Sequence, residues 1–306
     1  MTEIPHRAGF VSIAGLPNAG KSTLLNALTG ERLAITAHQP QTTRTSIQGV
    51  LTTQDSQIVF VDTPGIHKSD TLINKRMMDT VRSALLDRDL VLYVADASKP
   101  ATEDDRHAVS ALKQSSKALL VANKIDRVTD KRLLLPMIER YMDIFPFLEA
   151  VPVSARKGDG IEELKGVITR HLPEGPAFFP EDYITDQPMR FLAAELIREQ
   201  VLLAAREEVP HATAILIDTW EEKPHLVKIA ATIYVERPGQ KIILIGNKGQ
   251  MLKKIGSEAR RELERMLGYK VFLSLLVKVK QNWREDPSFL DVVDWRSMIG
   301  SEDKSQ

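Results

Sequence analysis

Cysteine is absent from the 306 residues, which removes a disulfide framework, a thiolate metal site and a cysteine nucleophile together and is compatible with a cytosolic protein. Long apolar runs are also missing. The longest, such as Leu90-Val91-Leu92-Tyr93-Val94-Ala95, fall far short of the ~20 residues that cross a bilayer, so membrane contact is expected only at the periphery. No signal-peptide pattern opens the chain, because Glu3, Pro5 and Arg7 lead at once into an apolar run. His38, His107, His171, His211 and His225 are scattered without metal-ligand spacing. Net charge is zero, with 41 basic and 41 acidic residues, but the balance is uneven. The segment 240–284 carries eleven Lys and Arg against three Glu, a net +8. Such a segment suggests a polyanion partner, with a solvated helix face as the alternative.

What is present is an ordinary globular composition, 43% hydrophobic and 27% charged, over a length that suggests two domains. From residue 9 to about 172, short apolar runs alternate with amphipathic helical patterns. Strands are expected at 10–14, 46–52, 57–62, 90–95, 118–123 and 150–154, and helices at 22–28, 74–87, 104–114, 131–141 and 160–171. The continuous run Ala118-Leu119-Leu120-Val121-Ala122 fits a parallel strand buried on both faces. The expected class is a doubly wound, mostly parallel α/β domain of P-loop type.

Gly15-Leu16-Pro17-Asn18-Ala19-Gly20-Lys21-Ser22 fits the pattern G-x-x-x-x-G-K-[ST] between the first strand and a helix opening near Thr23. Glycines at this spacing let backbone N–H groups turn inward on a phosphate, and the helix N-terminus adds positive partial charge. Lys21 is expected on the outer phosphates and Ser22 on Mg²⁺. The alternative is an ordinary glycine-containing turn, and the order of the downstream motifs decides between them. The polar stretch 30–48 reads as an exposed, mobile loop. Within it a threonine could complete the Mg²⁺ shell and contact the terminal phosphate, and Thr43 is favoured over Thr42. Asp62-Thr63-Pro64-Gly65 closes an apolar strand, placing Asp62 to hold Mg²⁺ through water and Gly65 to turn its N–H to a γ-phosphate. Asn123-Lys124-Ile125-Asp126 closes another. The Asp126 carboxylate can accept from both N1–H and the 2-amino group of guanine, a pair adenine lacks, so the site selects GTP over ATP. Ser154-Ala155 follows the last strand, where the Ala155 N–H could meet guanine O6. Five motifs in order at strand C-terminal edges define a GTP-binding domain.

One position departs from the Ras-like arrangement, in which a glutamine after the D-x-x-G glycine orients the attacking water. Ile66 stands there and can neither donate nor accept, which predicts slow intrinsic hydrolysis. The remaining candidates are His67, a second switch residue, a monovalent cation or a partner. Asn18 could ligate K⁺ through its amide oxygen.

Pro173, Gly175, Pro176, Pro180 and Pro188 mark a linker over 173–188, with Phe178, Phe179 and Tyr183 able to pin it to a domain surface. Beyond it the order helix, two strands, two helices, strand is expected over 189–290. The turn Gly246-Asn247-Lys248-Gly249 joins the two helices. A G-x-x-G turn after an apolar helix is the mark of a KH module, whose loop clamps a nucleic-acid strand. Leu252, Ile255, Ala259, Leu263 and Met266 form the core stripe of the following helix, while Lys253 and Lys254 stay polar. Single-stranded RNA is the expected ligand, with a plain turn as the alternative and no DNA expected.

The chain resembles the Era family of bacterial GTPases, which join a G domain to a type II KH domain. Beyond the five motifs, the likeness rests on Gln41-Thr42-Thr43-Arg44, Asp62 through His67, Pro180-Glu181-Asp182, Ala194-Glu195-Leu196-Ile197-Arg198-Glu199, Ala231 through Arg237, and Lys270 through Arg284. It covers about residues 9–289 and implies GTP and GDP as ligands, binding to the 3′ end of 16S rRNA, a role in maturing the small (30S) subunit, and peripheral inner-membrane contact. A cytoplasmic protein is expected, and a monomer, although the sequence alone does not give the oligomeric state. Two features depart from the family. Asn247 and Lys248 replace the Lys-Gly of its usual Gly-Lys-Gly-Gly loop, and the tail 291–306 has no match. Two other readings remain: an RNA-binding scaffold with negligible turnover, and a GTPase whose basic segment meets anionic lipid.

Overall fold

The computed structural model describes residues 5–37, 42–66, 71–86, 88–114, 117–205, 209 and 212–294, and its packing separates two units. The first draws on Met1–Ala34, Thr43–Ser69 and Asn74–Asp186. Its strands are β1 (Arg7–Ala14), β2 (Ile47–Thr52), β3 (Ser56–Asp62), β4 (Leu90–Asp96), β5 (Ala118–Asn123) and β6 (Ala150–Pro152). They lie in the order β2-β3-β1-β4-β5-β6, with only β2 antiparallel to its neighbour. Every residue of β3 and β5 is buried, as a sheet covered on both faces requires. The helices are α1 (Lys21–Thr29), α2 (Leu72–Leu85), α3 (Glu103–Ser110), α4 (Leu134–Ile144) and α5 (Ile161–His171).

The stretch after α1 differs from expectation. Instead of lying exposed, Leu33, Ala34, Ile35 and Thr43 are buried. For Leu33 and Ala34 the cause sits on the preceding helix: Asn26 accepts from their amides at 3.1 and 2.9 Å and donates to the Ala34 carbonyl at 2.7 Å. One amide side chain thus satisfies the backbone that would otherwise need water. The proline-rich segment before residue 187 is likewise attached to the first unit. Buried Gln57 donates to the Phe179 carbonyl and accepts from the amides of Phe178 and Phe179 at 2.7–2.9 Å. Phe178 also packs on Phe10 with ring centroids 5.0 Å apart.

The second unit takes Ile35–Thr42, Asp70–Ile73 and Gln187–Gln306. It contains α6 (Met189–Ala204), β7 (Ala214–Lys223), β8 (Leu226–Val235), α7 (Pro238–Ile245), α8 (Gln250–Leu267), β9 (Lys270–Val279) and α9 (Pro287–Val293). The sheet runs β7-β8-β9, with β8 antiparallel to β7 and parallel to β9. Alternate residues of β8 and β9, from Val227 to Val235 and from Val271 to Val277, join Ile197, Leu244, Ile255, Ala259 and Leu263 in one core. Among the described residues, the opposite sheet face is covered near Thr232, which is fully buried, and near Tyr234, where Phe289 of α9 packs edge-on. Trp283 anchors that end of the unit. It is fully buried and donates through Nε1 to the Ala212 carbonyl at 2.9 Å.

Candidate functional site

In the first unit the motifs converge at the C-terminal ends of the parallel strands, as ligand sites do in such sheets. Gly15 leaves β1 at φ +144°, where a Cβ would lie 2.4 Å from the Val94 carbonyl oxygen, so only glycine fits this approach. The chain then turns through Asn18 (φ +63°) and Gly20 (φ +97°) into α1. Thr23 is half-buried in the first turn of α1. The buried Lys21 ammonium is held by the carbonyls of Gly15 and Leu16 at 3.2 and 3.0 Å.

Behind it three oxygens meet. Ser22 Oγ lies 2.7 Å from Thr43 Oγ1 and donates to Asp62 Oδ2 at 2.8 Å, while Thr43 donates to the same oxygen at 3.2 Å. Thr42 directs its hydroxyl to the Ala37 carbonyl at 3.4 Å instead. Burial pushes the Asp62 carboxyl up to about 6, against the pull of nearby Lys21 and the two hydroxyls. Burial also lowers the Lys21 ammonium to about 8, with Asp62 opposing. The other oxygen, Asp62 Oδ1, is buried without a hydrogen-bond partner among the described residues. A buried carboxylate oxygen with no partner beside two hydroxyls is the donor set a hard divalent cation takes. Ser22, Thr43 and Asp62 therefore fit Mg²⁺. Among the described residues no three His, Cys, Asp or Glu converge as an alternative metal site.

These two groups fix the pH response. In the ligand-free protein both are charged between about pH 6 and 8. A carboxyl raised to about 6 must release its proton before holding a cation. The gain in GDP affinity on adding Mg²⁺ is thus expected to shrink by up to about tenfold per pH unit below that point. Titration calorimetry from pH 7 to 5, with and without the metal, measures it.

Gly65 packs against Pro17. Ile66 follows it into the core, only 5% exposed, with its amide donating to the Gly15 carbonyl at 3.2 Å. The position that carries a water-orienting side chain in Ras-like proteins is here a packing residue. His67 lies outside the described residues.

The base end is built by Asn123, which donates to the Ala19 carbonyl at 2.9 Å and accepts from the amides of Lys124 and Ala155 at 2.8 and 3.0 Å. One buried side chain thereby ties the phosphate loop, the Asn-Lys-x-Asp turn and the loop after β6. The Ala155 N–H is directed at Asn123 in this arrangement. Lys124, at φ +67°, opens a tight turn over Ile125–Arg127 that presents Asp126. Asp126 Oδ1 accepts from Ser154 Oγ at 2.8 Å, which fixes the carboxylate plane. Asp96 belongs to this end too, although none of the sequence motifs includes it. It closes β4 and binds the Lys124 ammonium at 2.7 Å, and its carboxyl is held below the usual range by the hydrogen bonds from Lys124 and Ser98 despite partial burial. The sequence carries a signal for it, since an Asp ending an apolar strand is also what marks Asp62.

In the second unit α7 ends at Gly246 (φ 71°, ψ 179°), and Lys248 and Gly249 both take left-handed φ before α8. This exposes a turn of backbone N–H groups beside a groove of about 340 Å³ lined by Gly249, Leu252, Lys253, Gly256, Arg260 and Leu275. Asn247, Lys253 and Lys254 are exposed around it. An apolar floor between a G-x-x-G turn and basic side chains suits a single nucleic-acid strand.

Fold and site together define a P-loop GTPase joined to a KH module. Residues 10–124 match the family model described as 50S ribosome-binding GTPase, and residues 208–284 match the KH domain model. GTPase Era of Geobacter metallireducens is 48% identical over 293 residues, covering 95% of this chain and 98% of the relative. That of Trichlorobacter lovleyi is 47% identical over 95% and 98%. Among solved structures, Aquifex aeolicus Era bound to GDP·AlF4⁻ superposes with a TM-score of 0.90 at 38% identity over 94% of this chain and 99% of that one. Era in complex with MgGDPNP and nucleotides 1506–1542 of 16S ribosomal RNA gives 0.92 at 38% over 95% and 99%. The chain belongs to the Era family of GTPases.

Proposed function

We propose that this chain is a GTP-driven switch that binds the 3′ end of 16S rRNA in its G-x-x-G groove and assists maturation of the small ribosomal subunit in the cytoplasm. The observation that carries the reading is the pairing, in one chain, of a guanine-selective phosphate site with a KH groove, matched over 95% of its length to an Era solved with MgGDPNP and that RNA segment. Lys21 offsets phosphate charge, Ser22, Thr43 and Asp62 hold Mg²⁺, and Asp126 reads the base. Mg²⁺ supplies charge neutralisation at the β- and γ-phosphates when bound. RNA affinity measured with a GTP analogue, GDP and no nucleotide is expected to differ at least about fivefold between states, the lower end of allosteric couplings. Equal affinities would leave only the scaffold reading.

With Ile66 buried, hydrolysis without a partner is slow, and Asn18 in the phosphate loop offers its exposed side chain to K⁺. Turnover is expected to be faster in K⁺ than in Na⁺ at equal ionic strength, and to lose that difference in Asn18→Ala. Equal rates in the two salts exclude the cation. The protein acts as a monomer, and any inner-membrane contact is peripheral: among the described residues no helix is long and apolar enough to cross a bilayer.

A further inference from the structure

We propose that the open face of the second unit's sheet, at its β9 edge, is a further RNA contact. On it Phe272 stacks a base of the strand that continues out of the G-x-x-G groove, so the platform rests on the RNA reading of that groove. Side chains of β9 alternate: Val271, Leu273, Leu275 and Val277 turn to the helices, while Phe272 and Leu276 stand 61% and 52% exposed on the other face. β9 is the edge strand of the order β7-β8-β9. Leu273 and Leu275 line the groove on one face, so a strand leaving the groove need only round this edge to reach Phe272 on the other.

Basic side chains of the open face gather toward β9. Lys228 is the register partner of Phe272, and Lys278 lies two residues beyond Leu276. Neither Lys228 nor Lys278 makes an ion pair among the described residues, and Lys270 is 4.0 Å from Glu264. The acids of this face, Asp218 and Glu221, sit on β7. Glu221 is the register partner of Lys228, so Lys270 and Lys278 on β9 itself are the lysines set apart from acids of β7, and Asp218 accepts from the Thr232 hydroxyl at 2.7 Å. Ser274 beside Phe272 and Ala230 next to it are small, leaving the ring face open. An exposed aromatic on an edge strand is a liability that proteins usually remove. An aromatic flanked by lysines on a sheet is the platform on which RNA-binding domains stack bases.

The test uses the full chain with a GTP analogue and two single-stranded RNAs of one sequence, one of about four nucleotides that fills the groove and one three times longer. Phe272→Ala is expected to weaken the longer RNA by about five- to a hundredfold, the range of one base–aromatic stack, and to leave the shorter unchanged. Phe272→Tyr, which keeps the ring, restores the longer RNA. Unchanged affinity of Phe272→Ala for the longer RNA overturns the proposal, as does equal loss on both RNAs. The two levels separate: if the unaltered chain binds neither RNA, the RNA reading itself fails, whereas loss at Gly246→Asp with no effect at Phe272→Ala removes only the platform. Retained binding of the shorter RNA by the Phe272 variants reports an intact second unit, and GTP binding reports the first unit alone.

Discussion

Asp126→Asn is expected to lower GTP affinity by about a hundred- to ten-thousandfold while raising affinity for xanthosine triphosphate. In the proposed role the carboxylate accepts from two guanine donors, and hydrogen bonds to a charged group are worth about 1.5–3 kcal/mol each. An asparagine presents one acceptor and one donor, so its NH₂ is set against the guanine 2-amino group. Xanthine carries a carbonyl at that carbon, and the new donor meets an acceptor. Ser154 Oγ still finds an acceptor in the asparagine oxygen, so the 2.8 Å bond that fixes the side chain survives and the turn over Ile125–Arg127 keeps its shape. Displacement of a fluorescent guanine nucleotide by each triphosphate gives both numbers. Loss of GTP binding with no gain for the xanthine nucleotide would mean that Asp126 acts through the turn and not on the base.

The placement of Asp126 is legible in the sequence because each G motif stands at the end of an apolar strand, and strand ends are where such patterns are clearest. Five of the expected strands fall within three residues of β1 to β5. The sixth is shorter than its apolar run. The Val153 amide still reaches the Ala122 carbonyl at 2.9 Å, but Ser154 pairs instead with Asp159 and the chain turns away. The core stripe of α8, from Leu252 to Met266, also packs as its 3.6 periodicity requires. The features that could not be read are set by single polar side chains acting at a distance. Asn26 looks like filler in α1, yet it holds the backbone of Leu33 and Ala34 in the following loop. Gln57 looks like an unremarkable strand residue, yet it fastens a segment more than 120 positions away. Hydrophobic period carries no trace of such contacts, because the partner atoms are backbone and could belong to any residue type.

Ile66 is the converse case, a residue whose type tells what it cannot do and not what it does. Its chemistry excludes water positioning at once. Only the fold shows that it packs with Ala14, Val81 and Tyr93 in a core cluster, so a polar replacement there would leave a side-chain amide in apolar surroundings at a cost of about 1–3 kcal/mol. Restoring a glutamine is therefore no simple route to faster hydrolysis.

The second large effect is expected from Gly246→Asp, which should reduce RNA affinity at least about a hundredfold and leave GTP affinity unchanged. Gly246 holds φ 71° and ψ 179°, a combination essentially confined to glycine, where other residues carry about 1–3 kcal/mol of strain. A Cβ there would also approach the Met251 Cβ to 2.7 Å, and Met251 lies in the first turn of α8 with its backbone committed to the helix. The turn must open to accept any side chain, which breaks the Gly249 amide's bond to the Gly246 carbonyl at 3.2 Å and disperses the N–H groups that would face a phosphate. A carboxylate adds direct repulsion of the strand. Gly246→Ala isolates the steric part and is expected to lose affinity by a smaller factor, so the ratio of the two variants in a salt titration measures the charge contribution, which salt screens while the strain stays constant. GTP binding reports the other unit, whose phosphate loop, metal-binding oxygens and base-recognition turn lie wholly within residues 15–155. A variant that lost both activities would point to global unfolding, and one that kept RNA affinity would show that the strand is held by the basic side chains of α8 without the turn.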